Sequence, residues 1–185
     1  MKKKIKIYAI LIALVIVGFV AFLLVWHLRE DDFLLRAAIF STGSYSDNYY
    51  YVIDSKGTLI VSTGDRDTDD IRDEPFLDRV KRQREYVLTE DEFSTLISLT
   101  EKMYKIEYVS RFLITNDSYN VAVSYKDKHI TADIGERYSD ELFVKGKINE
   151  DLIDLFELID FIVEISPITV DVFGLGYSWF AEYGH

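Results

Sequence analysis

From Ile7 to Trp26 the chain reads IYAILIALVIVGFVAFLLVW, twenty positions without a charge. At a rise of about 1.5 Å per residue a helix of this length spans about 30 Å, the hydrocarbon thickness of a bilayer. The pattern therefore predicts a transmembrane helix over 7–26. The following LREDDFLLRAAIF is read as an outward continuation of that helix, and STGSYSDN as a loop, so residues 27–47 form a juxtamembrane stalk and loop. Beyond them the periods shorten. YYYVI, DSKG and TLIVS are two β-rich runs around a glycine turn, predicting strands over Asn48–Ile53 and Thr58–Thr63.

PFLDRVKRQREYVL has no sustained period and reads as a loop with a short helix. TEDEFSTLISLTEKMY is clearer. Thr89 and Glu92 have capping-box spacing, and Phe93, Leu96, Ile97, Thr100, Met103 and Tyr104 recur on one helical face. EYVSRFLIT, YNVAVSY and HITADIG then predict three strands joined by NDS and KDK. In the middle one Val121 and Val123 alternate with Asn120, Ala122 and Ser124, which implies one packed face and one wetter face. Asn149 is placed to cap the helix EDLIDLFELIDFIVEI, whose stripe is Leu152, Leu155, Phe156, Ile159, Ile162 and Val163, and Pro167 ends it. ITVDVF alternates as a last strand, and GLGYSWFAEYGH is an aromatic tail.

These elements give the order ββ-α-βββ-α-β. An antiparallel sheet covered by two helices is the α+β arrangement that buries such faces, here over residues 48–185. Phe161 to Phe180 does not qualify as a second span, because Glu164 and Asp171 fall inside it and Pro167 would break it.

Charge fixes the orientation. Lys2, Lys3, Lys4 and Lys6 make residues 1–6 a basic tail, while the other flank, HLREDD, has one arginine against three acids. Lysine excess holds a flank in the cytoplasm, so the domain is expected outside the cell membrane. A cleaved signal peptide is disfavoured, since its apolar core is about 7–15 residues and VWHLREDD has no small-residue cleavage pattern. The chain carries 32 acidic and 21 basic residues, so with four lysines inside the exposed part is strongly acidic. Such a surface repels nucleic acid and suits a basic partner. There is no cysteine, which excludes disulfides and thiol chemistry.

Candidate chemistry is sparse. VSTGDRDTDDIRDEP sets Asp65, Asp67 and Asp69 at alternate positions, as in the first half of an EF-hand loop, yet Asp70 stands where the turn needs glycine and Phe76 where a bidentate glutamate is needed. Those three aspartates are at most a weak calcium site, the alternative being a solvated acidic loop, and no other cofactor is expected. His27, His129 and His185 have no partners at metal spacing, and a triad around His129 would need distant residues to converge. FGLGYSWF and VKGK lack the rest of a nucleotide-binding motif, and NDS at Asn116 reads as a turn. Aromatic residues make up 15% of the chain, with Tyr45, Tyr49, Tyr50 and Tyr51 clustered at the first hairpin. Tyrosines in acidic surroundings suit partner binding, so Tyr49, Tyr51, Asp65, Asp67, Asp69 and Asp70 are the candidate contacts.

The sequence thus reads as a single-pass membrane protein presenting a non-catalytic accessory or binding domain. One alternative is an immunity-like or inhibitor protein that blocks a basic partner. The other is an enzyme with a carboxylate-based site.

Overall fold

The computed structural model describes residues 33–41, 48–66, 68–108, 119–137, 150–170 and 172. The transmembrane segment expected over 7–26 lies outside them. Among the described residues no helix is long and apolar enough to cross a membrane.

Among the described residues six antiparallel strands form one sheet: β1 (Leu35–Ser41), β2 (Asn48–Ile53), β3 (Thr58–Arg66), β4 (Leu77–Val87), β5 (Tyr119–Tyr125) and β6 (Lys128–Asp133). Their spatial order is β4-β3-β2-β1-β5-β6. With the helices α1 (Glu90–Tyr104) and α2 (Ile153–Glu164), which pack on each other, this is a small α+β fold.

The stalk expected over 27–47 is corrected at residues 35–41. LRAAIFS is not helical but is the central strand β1, paired with β2 on one side and β5 on the other. Its burial explains the misreading, because Leu35, Ala37, Ala38, Ile39 and Phe40 are all buried and a strand covered on both faces shows no alternation.

Register divides the sheet into two faces. Leu35, Ala37 and Ile39 stand beside Ile53, Tyr51 and Tyr49 of β2, and these beside Leu59, Val61 and Thr63 of β3. This first face is helix-covered: Tyr125 on it meets Tyr104 of α1 edge-on at 6.0 Å, and Tyr86 on it bonds Glu92. α1 is anchored as its sequence predicts, Thr89 accepting from the Glu92 amide while the Glu92 carboxylate accepts from the Thr89 amide at 2.8 Å. Its buried stripe is rotated slightly from the expected one, toward Leu99 and away from the more exposed Ile97. α2 enters through a 3-10 turn at Glu150–Leu152 rather than through a side-chain cap. The expected cap Asn149 lies outside the described residues.

The opposite face is also covered, which corrects the expectation of a wet side to β5. Asn120, Ala122 and Ser124 are all buried. Ala38, Phe40 and Ala122 pack there with Ile71, Phe76 and Leu77, which the chain brings back across the sheet after β3.

Two glycines shape this region. Gly57 takes φ +74° in the β2–β3 turn, where Asp54 Oδ1 accepts from the amides of Lys56 and Thr58. Gly64 sits where β3 and β4 slip register, and a Cβ there would lie 1.9 Å from the Arg79 carbonyl oxygen.

Two further expectations are corrected. PFLDRVKRQREYVL is not a loop with a short helix: it contains β4, eleven residues long and paired along its length with β3. An edge strand exposed on both faces offers no apolar period to read. The described part of ITVDVF makes no strand, although Ile168 and Val172 are buried. The strand expected over EYVSRFLIT lies almost wholly outside the described residues, and Glu107 and Tyr108 are irregular.

Candidate functional site

The acidic segment after β3 is a clamp rather than a free loop. Burying Ile71 and Phe76 removes two large side chains from water, each contributing about 1.5–3 kcal/mol. Phe76 meets Phe40 edge-on at 5.9 Å and Tyr50 at 5.0 Å, and the Tyr50 hydroxyl donates to the Ile71 carbonyl at 3.3 Å. The charges fold outward around this plug. Arg66 lies 4.8 Å from the Phe40 ring centroid, donates to the Ser41 carbonyl at 2.9 Å and to the Thr68 carbonyl at 3.0 Å, and pairs with Asp69. Arg72 grips Asp70 through three donor contacts, Arg36 meets Glu74 at 2.6 Å, and Thr68 bonds Asp73 at 2.6 Å.

This geometry separates the calcium candidates. Asp65 pairs with Lys81 at 2.7 Å, Asp69 pairs with Arg66, and Asp67 lies outside the described residues. Each described carboxylate is turned to its own cation, and among the described residues no three His, Asp or Glu side chains are grouped to hold a metal. The hydrogen bonds from Arg72 hold the Asp70 carboxyl well below the usual carboxylate range, an effect that burial partly opposes.

The partner-contact candidates divide. Asp65, Asp69 and Asp70 reach the surface, whereas Tyr49 and Tyr51 belong to the helix-covered core, Tyr51 being fully buried. Their positions in β2 explain the division: odd-numbered residues there face the helices, and the half-buried Tyr50 faces the clamp.

His129 also faces the clamp side. It stands opposite Ser124 across the β5–β6 ladder, and Asp70 and Arg72 lie within electrostatic reach. Burial pushes its imidazole below the ordinary value; Arg72 acts in the same direction and Asp70 against it. Nε2 is 3.1 Å from Thr131 Oγ1, and Nδ1 is buried without a hydrogen bond among the described residues. A triad needs those nitrogens on a serine and a carboxylate, so these contacts do not make one.

Arg137 and Asp160, both almost wholly buried, form an ion pair that ties the turn after β6 to α2, and the guanidinium lies 5.2 Å from the Phe156 ring centroid. Glu136 is buried beside them, accepting from the Asp133 amide and the Tyr108 hydroxyl. The ion pair is closed within the fold and Glu136 is hydrogen-bonded there, which makes the cluster a structural joint.

The feature least visible in the sequence is the β4 edge. From Asp78 to Glu85 every side chain is exposed, and among these residues are Arg79, Lys81, Arg82 and Arg84. A basic run inside an acidic chain was the available signal.

No known protein-family model matches the chain, and no curated protein matches it in sequence.

Proposed function

We propose that the chain is a single-pass membrane protein whose α+β domain is presented outside the cell membrane as a non-catalytic, partner-binding module. The observation that carries this reading is the uncharged run Ile7–Trp26 preceded by four lysines and followed by an acidic flank. The domain's own construction supports a binding role, because Arg137 and Asp160 are paired in a buried joint and the clamp carboxylates Asp69, Asp70 and Glu74 are paired with arginines, while β4 leaves a run of basic side chains exposed at the sheet edge.

The test is fractionation of cells expressing the full chain with a tag at His185. The protein is expected to stay in the membrane after alkaline carbonate extraction, with the tag open to protease from outside. Release into the wash, or a tag protected in intact cells and cut only after lysis, would overturn the reading.

A second reading, an inhibitor that binds a basic partner through the clamp, is favoured by the exposure of Asp69 and Glu74, whose side chains are each 71% accessible. Such a partner must compete with Arg66 and Arg36 for these carboxylates. Its association should weaken steeply with salt.

A further inference from the structure

Among the described residues β4 lies at one end of the sheet and pairs with β3 alone, so its other side offers backbone donors and acceptors to an incoming strand. Its length, eleven residues, is about twice the commonest strand length. Its two faces differ. Arg79, Arg82 and Arg84 stand opposite Asp65, Thr63 and Val61, on the helix side of the sheet but exposed. Val80 and Val87, 50% and 65% accessible, stand opposite Gly64 and Thr58 on the other side.

Charges on an edge ordinarily serve to prevent pairing, and a protective edge is short and keeps apolar side chains out of sight. This one is long and leaves two valines in solvent. A second copy of β4 is a poor occupant, since continuing the sheet would set one arginine face against another. An acidic strand meets the same edge with opposite charge. We propose that β4 is a strand-addition site for an extended acidic segment of a partner protein, with acids alternating against the arginine face and apolar residues against Val80 and Val87. This gives the partner-binding reading above a defined surface and a partner of defined chemistry, and it rests on that reading. The basic run then both admits the acidic strand and rejects cationic ones.

The probe is an end-blocked peptide of about ten residues alternating glutamate and valine, titrated into the full chain in detergent micelles. Controls are a lysine–valine peptide and the glutamate–valine peptide N-methylated at alternate amides. Binding is expected for the first peptide alone, weakening at least about tenfold in the R79E/R82E/R84E variant and again at high salt. Circular dichroism checks that the variant folds; if it does not, R79Q/R84Q gives the same comparison. Equal binding by the lysine peptide, by the N-methylated peptide or by the variant would overturn the proposal. So would no binding at all, or a full chain that dimerises through β4 and becomes monomeric on charge reversal. Carbonate extraction reads the membrane anchor independently, so failure here leaves that result standing.

Discussion

Arg66 lies across the ring of Phe40 while its guanidinium donates to the backbone carbonyl of the neighbouring Ser41. One side chain at the end of β3 thereby fastens the outgoing acidic segment to the central strand β1.

If that contact holds the clamp, Arg66→Ala should free the segment from Asp69 to Pro75 without unfolding the sheet. The expected loss is about 1–3 kcal/mol, from the cation–π contact and the hydrogen bonds to the Ser41 and Thr68 carbonyls. Limited proteolysis should cut after Arg72 in the variant well before it cuts the parent. Identical cleavage rates would show that Ile71 and Phe76 hold the segment unaided.

The Arg137–Asp160 joint should be far less tolerant. Removing one partner strands a buried charge, so Asp160→Ala is expected to cost about 3–5 kcal/mol in urea unfolding. The double variant Arg137→Met with Asp160→Leu should recover most of that loss, because it leaves neither charge behind. A double variant as unstable as the single one would mean that packing around Phe156, rather than charge, dominates.

Acid should loosen the start of α1 through Glu92. The Thr89 backbone amide holds this carboxyl below its ordinary value; partial burial opposes this, and the hydroxyls of Thr89 and Tyr86 reinforce it. A depressed folded value means the stabilisation is fully present above the unfolded carboxylate range and is lost as pH falls through the folded one. The stability advantage of the parent over Glu92→Gln should therefore be largest near neutrality and shrink below about pH 4. A difference independent of pH would remove the carboxylate from the cap.

The elements legible in the sequence are those with a local period or cap; even β5, buried on both faces, was readable from its alternating valines between polar joints. The β2–β3 hairpin is marked by its β-rich runs around the Gly57 turn, α1 by the Thr89–Glu92 box, and α2 by its apolar stripe. β1 and β4 fail the same test from opposite directions: β1 is buried on both faces and borders a long apolar run, and β4 is exposed on both. The clamp was legible only in its charges. Ile71 and Phe76, set among the acids of DDIRDEPF, were the sign that this segment packs, yet nothing local says which sheet face they reach. The pairing of Asp65 with Lys81 is likewise a product of the fold, since the two residues meet only across the β3–β4 ladder.

The position of β1 in the sheet also bears on assembly. Leu35 pairs with Ile53, close by in the chain, and with Tyr125, which comes only after β2, β3, β4 and α1. β1 to β4 pair in their order along the chain, whereas the other flank of β1 is filled by β5, from far along the chain. Closing that distance loses chain entropy before any contact repays it. The ladder expected to close last is thus at the middle of the finished sheet, and it covers the apolar flank of β1.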